Sequence, residues 1–297
     1  MKQPELLKKG DTVAIIAPAK AIEDSFINNS VSFWESQGFH VVVGKHCTGR
    51  FNYFSGTEAA RASDLQAAIN DEKVKAIICA RGGYGCVQLL DYIHWAGLMN
   101  FPKWLIGFSD VTVFHLHLSH LGVQSLHATM PLNYLENTEE STSSMISCLT
   151  HGKMNYEWQP EFYKSGIAQG ELVGGNLAVL SSLVGTSVVP NFKNKILFVE
   201  EVGEHIYAID RMFYQLAKSG ILNQLNGLII GSFTNIKDTE TPYGLKWQEV
   251  ILHHFKYRNI PVAFDFPAGH QNDNRALIMG QEISYSVNPY NASFQSI

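Results

Sequence analysis

Short apolar runs, each stopped abruptly at a turn, recur through the first half of the chain. Residues 12–17 run Thr-Val-Ala-Ile-Ile-Ala and stop at Pro18; residues 76–80 run Ala-Ile-Ile-Cys-Ala and stop at Arg81-Gly82-Gly83-Tyr84-Gly85. Residues 104–108 run Trp-Leu-Ile-Gly-Phe and stop at Ser109-Asp110. Continuous rather than alternating apolarity suits a parallel strand covered on both faces. Residues 21–37, before Gly38, are long enough for a helix, and residues 57–70 carry Ala60, Leu65 and Ala68 at helical spacing. Residues 39–43 form a further strand, while residues 87–92 and 111–121 begin helices. Strands alternating with helices at short spacing predict an α/β fold with a parallel, doubly wound sheet.

The character changes over residues 136–165, which open with the polar stretch Glu136-Asn137-Thr138-Glu139-Glu140-Ser141. A short helix is expected over 143–149 and an alternating, aromatic stretch over 156–166. This reads as a connection between two domains, residues 1–135 and 166–297. The second half is mixed α and β. Strands are expected over 195–201, 227–231 and 262–265, with helices over 206–219 and 247–257. Residues 275–280 and 282–287 read as two strands joined by a tight turn.

Composition narrows the function. The chain has 297 residues, 45% of them hydrophobic, which is enough for a large core. Its net charge is -5 and no tract of basic residues occurs, so no nucleic-acid partner is expected. No apolar run approaches the ~18–20 residues of a membrane span. Residues 1–11 lack the pattern of a signal peptide, and a cytoplasmic location is expected. The four cysteines form no C-x-x-C pair, which fits a reducing compartment.

Several residues carry candidate chemistry. A serine between a buried strand and a helix is pushed outward, and the first helical amides point at any oxyanion beside it. Ser109 has this nucleophile-elbow context, although Gly107-Phe108-Ser109-Asp110-Val111 lacks the usual G-x-S-x-G. The competing reading is a helix-capping serine. Arg81-Gly82-Gly83-Tyr84-Gly85 also joins a strand to a helix. Its glycines allow close backbone approach, and Arg81 favours an anionic group such as a carboxylate. No Lys-Ser/Thr follows these glycines, so a phosphate-binding loop is weakly supported, and a plain tight turn is the alternative. Glu200 and Glu201 stand where a strand exits. Alternation of faces sends only one of them into a cleft. His270 follows Pro267-Ala268-Gly269 in a polar loop, a favourable place for a working histidine. His115, His117 and His120 do not share one helix face, and His253 and His254 diverge, so no metal site is expected. A serine hydroxyl needs a neighbouring base, itself oriented by a third group. Ser109, His270 and one of the two glutamates supply those roles.

The ordered segments Gly10 to Pro18, Phe54-Ser55-Gly56-Thr57, Arg61 to Leu65, Ala80 to Gly85, Ile106 to Asp110, Gly174-Gly175-Asn176-Leu177, Val199 to Glu204, Ile209 to Met212 and Gly269-His270 resemble the LD-carboxypeptidases, serine peptidase family S66. That family includes the microcin C self-immunity hydrolases. The resemblance implies a Ser109–His270–Glu200 triad. It implies a flavodoxin-like N-terminal domain bearing the serine and a strand-rich, barrel-like C-terminal domain bearing the other two. It further implies oxyanion contacts from the Asp110 amide and the Gly82–Gly83 turn, no metal and no cofactor. A murein tetrapeptide is the implied small-peptide substrate, in a cytoplasmic homodimer. One departure is His127-Ala128-Thr129-Met130-Pro131, where the family more often has His-Gly-Pro. Three other readings stay open. They are a microcin-type hydrolase of aminoacyl-nucleotide amides, a non-catalytic two-lobed binding module, and an amidotransferase-like acyl-transfer enzyme. The last usually needs a cysteine, and this elbow has a serine.

Overall fold

A computed structural model describes residues 1–297. The first half contains β1 (Thr12–Ile16), α1 (Asp24–Ser36), β2 (His40–Val43), α2 (Glu58–Asn70), β3 (Val74–Cys79), α3 (Ala96–Asn100), β4 (Trp104–Gly107), α4 (Thr112–His120) and β5 (Ser125–His127). Residues 86–92 form a 3-10 helix rather than the start of an α-helix. The apolar runs that read as parallel strands are so paired: β3 lies between β1 and β4, and β5 follows β4, all in parallel. All of β4 is buried, as a strand with both faces covered must be.

Residues 136–165 are structured, and residues 155–158 and 163–164 within them are strands of the second sheet. Helix α5 (Glu139–His151) is longer than its central apolar stretch suggested. Thr138 caps its start by accepting a hydrogen bond from the Ser141 amide, and Gly152 ends it with a left-handed φ of 68°. Beyond it come β6 (Asn155–Trp158) and β7 (Tyr163–Lys164).

The second sheet is built on β8 (Gly166–Asn176), followed by α6 (Leu177–Leu183), β9 (Ile196–Val202), α7 (Ile206–Lys218), β10 (Gly227–Thr234), α8 (Trp247–His254) and β11 (Val262–Ala263). The chain closes with β12 (Leu277–Met279), β13 (Glu282–Val287) and β14 (Ala292–Ser296). Strand β11 is shorter than expected because Asp265 takes a left-handed φ of 64°, which ends the extended backbone.

The first sheet has the order β12-β5-β4-β3-β1-β2 and the second the order β6-β14-β13-β8-β9-β10-β11-β7. Strands β8 to β11 run parallel, and antiparallel strands flank them. The second sheet curls until its ends meet, for Trp158 Nε1 on β6 donates to Phe264 O beside β11 at 2.6 Å. The fold is therefore mixed α/β, with one largely parallel sheet and a second, strand-rich barrel-like unit.

The strands on either side of Gly280 do not pair with each other. Strand β12 runs antiparallel to β5 in the first sheet, while β13 pairs with β8 in the second. The core is shared as well. Leu177, Leu180 and Phe213 from the second unit pack in one cluster with Val111 and Phe114 from the first.

Candidate active site

Strand β4 ends at Gly107, Phe108 continues it, and Ser109 turns the chain sharply into a single 3-10 turn before α4. The turn requires φ = 63° at Ser109, in the left-handed region. That conformation costs a non-glycine residue roughly 1–2 kcal/mol. Strain of this kind persists where the surroundings dictate it, and functional sites are where it concentrates. The hydroxyl so presented is 3.1 Å from His270 Nε2. His270 Nδ1 is in turn 2.7 Å from Glu200 Oε2.

Each partner is delivered by the end of a different strand. Glu200 lies near the carboxyl end of β9 and is fully buried. His270 stands on the loop after β11, its ring against Phe108 with centroids 5.0 Å apart. The loop passes so close to β9 that a Cβ on Gly269, whose φ is 120°, would lie 2.7 Å from Glu200 Cβ. Only glycine fits there. Burial lowers the proton affinity of His270, but the charge and hydrogen bond of Glu200 outweigh it. The imidazole pKa is net raised above its ordinary 6.5.

The two glutamates part as strand alternation requires. Glu201 faces the opposite way and accepts hydrogen bonds from Asn176 Nδ2 at 3.2 Å, Ala178 N at 2.8 Å and Val202 N at 2.8 Å. It thus sits at the amino end of α6. Burial, with the charge of Glu200 adding to it, pushes its pKa up to about 7.

The glycine turn lies against the serine. A Cβ on Gly82 would come within 3.0 Å of Ser109 Cβ and 3.2 Å of both Ser109 Oγ and the Asp110 amide nitrogen. The Gly82 backbone and the Asp110 amide therefore flank the hydroxyl. The Asp110 carboxylate points away, accepting from Cys86 N at 2.8 Å. Gly83 is exposed on the outer side of the turn. Arg81 is half-buried, and its Nη1 donates to Ala21 O at 3.0 Å.

Several supporting residues escaped the sequence reading. Arg61 is buried and donates to Pro18 O at 2.6 Å, Gly85 O at 3.1 Å, Gly56 O at 3.0 Å and Gln88 Oε1 at 2.7 Å. It therefore ties together the loops after β1 and β3. His115 brackets the elbow strand, with Nε2 2.8 Å from Gly107 O and Nδ1 2.8 Å from Ser125 Oγ. Burial pushes its pKa down to about 4, so the neutral ring is the stable form. Thr112 Oγ1 accepts from Asn176 N at 2.9 Å, joining α4 to the start of α6.

The His270 loop is held from both sides. Asn274 Oδ1 accepts from Gly269 N at 2.8 Å. Asn274 N donates to Ser141 Oγ on α5 at 2.7 Å, and that hydroxyl donates to Asn272 O at 2.8 Å. Ala276 N donates to Ser144 Oγ at 3.0 Å. Ser141 ends the polar stretch 136–141, and Ser144 lies in the short helix expected over 143–149. Only the tertiary fold reveals the loop that they hold.

A strained serine, a histidine and a buried carboxylate, aligned between two α/β units, have the connectivity that serine-based acyl transfer requires. Comparison with known proteins identifies the family. The LD-carboxypeptidase N-terminal domain profile matches residues 13–128, and the corresponding C-terminal domain profile matches residues 169–284. The chain belongs to the LD-carboxypeptidase family. It is 34% identical to a putative carboxypeptidase of Synechocystis, over 94% of this chain and 93% of that protein. It is 32% identical to the murein tetrapeptide carboxypeptidase of Pseudomonas aeruginosa, covering 91% of each. The crystal structure of muramoyltetrapeptide carboxypeptidase from Oxalobacter formigenes superposes with a TM-score of 0.90 at 27% identity, over 96% of this chain and 98% of that one. An MccF-like protein from Bacillus anthracis superposes with a TM-score of 0.88 at 24% identity, covering 100% and 99%, a likeness of fold alone. No helix is long and apolar enough to cross a membrane.

Proposed function

We propose that this protein is a serine-type LD-carboxypeptidase that releases terminal D-Ala from murein tetrapeptides in the cytoplasm, acting as a homodimer. The observation that carries the reading is the aligned contact series, 3.1 Å from Ser109 Oγ to His270 Nε2 and 2.7 Å from His270 Nδ1 to Glu200 Oε2. The murein tetrapeptide carboxypeptidase among the relatives supports the choice of substrate.

In this mechanism Ser109 Oγ attacks the carbonyl carbon of the bond between meso-diaminopimelate and D-Ala. His270 Nε2 takes the hydroxyl proton as the new C–O bond forms. Amides of Asp110 and the Gly82–Gly83 turn hold the oxyanion. The C–N bond then breaks, and His270 returns the proton to the departing amine. Water, deprotonated by the same imidazole, attacks the acyl-enzyme and frees Ser109. Glu200 fixes the tautomer of His270 and stabilises the imidazolium. Arg81, whose sequence context suited an anionic group, donates to the Ala21 carbonyl and braces the segment beside the glycine turn.

The test incubates the parent protein and Ser109→Ala with L-Ala-γ-D-Glu-meso-diaminopimelate-D-Ala, following D-Ala by mass spectrometry. Release by the parent alone is expected. Equal release from both would reduce Ser109 to a helix cap. No release by the parent, with Ser109-dependent cleavage of an aminoacyl-sulfamoyl adenosine, would move the chain to the microcin-type reading. Tetrapeptide binding that Ser109→Ala leaves intact, without any hydrolysis, would support a binding module.

A further inference from the structure

The glycine turn beside Ser109 has a neighbour on its outer side. A Cβ on Gly83 would lie 3.1 Å from Lys20 Cβ and 2.9 Å from Tyr53 Oη. Backbone pairing holds Lys20 there. A bridge joins it to Phe54, and Ala21 N donates to Tyr53 O at 3.0 Å. The Lys20 ammonium sits 5.0 Å from the Tyr53 ring centroid and has no carboxylate partner. Glu23 and Asp110 are engaged elsewhere. Asp110 accepts from Cys86, and Glu23 pairs with Arg50 at 2.6 Å. The guanidinium of Arg81 already serves the Ala21 carbonyl, so it braces the strand segment that carries Lys20. Tyr53, beside the Lys20 ammonium, remains 43% exposed.

An unpaired ammonium on a flexible stem, packed against the outer side of the glycine turn whose inner side flanks the nucleophile, is free to meet an anionic group of a substrate bound at that turn. A carboxypeptidase differs from an endopeptidase in recognising such an anion, the free carboxylate of the terminal residue. We propose that Lys20 binds the terminal carboxylate of the departing D-amino acid, with Arg81 as the positioning residue behind it. The flexible four-carbon stem suits a charge that must follow the product out, where a rigid fork would retain it. This inference rests on the LD-carboxypeptidase reading.

The experiment compares kcat/KM for L-Ala-γ-D-Glu-meso-diaminopimelate-D-Ala with that for its C-terminal amide, using the parent, Lys20→Met and Lys20→Arg. The parent is expected to prefer the free acid by about tenfold or more, the range of a charge-assisted contact. Lys20→Met should lose most of that preference through a raised KM for the acid, with the amide unchanged. Lys20→Arg should restore part of it. A parent without preference, or a Lys20→Met variant with the parent's ratio, overturns the proposal and leaves the LD-carboxypeptidase reading standing. Calorimetry on Ser109→Ala, with and without Lys20→Met, separates the opposite case. Lys20-dependent preference for the acid in binding, with no D-Ala released by the parent, keeps the carboxylate site and removes the carboxypeptidase reading.

Discussion

His270 sits between two opposing influences, burial that disfavours its charge and a fully buried carboxylate that favours it, and the carboxylate wins. The base form needed for attack is therefore lost as pH falls through a midpoint above the ordinary 6.5 of histidine. A pH profile of kcat/KM should show its acid limb there. Glu200→Gln should move that limb to lower pH and cut kcat by roughly 10⁴, as losing the orienting group does in serine proteases. An unmoved limb in Glu200→Gln would refute the pairing as the cause. At this scale the sequence was informative, because Ser109, Glu200 and His270 each stand at the carboxyl end of a predicted strand. Strand alternation alone left Glu200 and Glu201 equivalent, and only the family resemblance pointed to Glu200. The structure separates them, one toward His270 and the other onto the α6 amides. The strain at Ser109 is a tertiary property. An isolated serine avoids φ = 63°, and only the packed elbow imposes it.

Among the elements, α5 carries the least expected role. Its Ser141 hydroxyl receives the Asn274 amide and donates to Asn272 O, and Asn274 in turn holds the amide of Gly269. Ser141→Ala leaves two backbone groups without their partner and loosens the loop that aims His270. A displacement of about 1 Å at a reacting group costs on the order of 10²-fold in rate. Ser141→Ala is accordingly expected to lower kcat about ten- to a hundredfold with KM for the tetrapeptide near the parent's. A rise in KM with kcat intact would instead place α5 at the substrate. The polar first turn hid the start of this helix, which was expected only from residue 143, since Ser and Thr favour caps and turns over helix interiors. Here Ser141 and Ser144 point at a loop more than a hundred residues away in sequence. The strand–helix alternation of the first half was legible for the opposite reason, because burial on both faces writes a continuous apolar run into each strand.

For the molecule as a whole, two buried groups set opposing pH trends in stability. His115 has a folded pKa of about 4 against 6.5 unfolded, so its contribution is full above 6.5 and is lost as pH falls toward 4. Glu201 has a folded pKa of about 7 against 4.5 unfolded, so its contribution is full below 4.5 and is lost as pH rises toward 7. The trends offset between about 4.5 and 6.5. Glu201→Gln removes one of them while preserving the protonated shape. The thermal midpoint of Glu201→Gln minus that of the parent should therefore grow as pH rises from 4.5 to 7. A constant gap would show that Glu201 does not titrate in this window. Global connectivity was the least readable feature. Nothing local assigns residues 277–279 to the first sheet and 282–287 to the second, because both carry ordinary strand patterns.

That exchange of strands bears on how the protein is born. Until Met279 has been synthesised, β5 has an unpaired edge, and Ser109 has neither His270 nor the α5-held loop beside it. A nascent chain thus carries the serine disarmed until that segment has been made. Strand β12 and the histidine lie within a few residues of each other, so the segment that completes the first sheet also arms the serine.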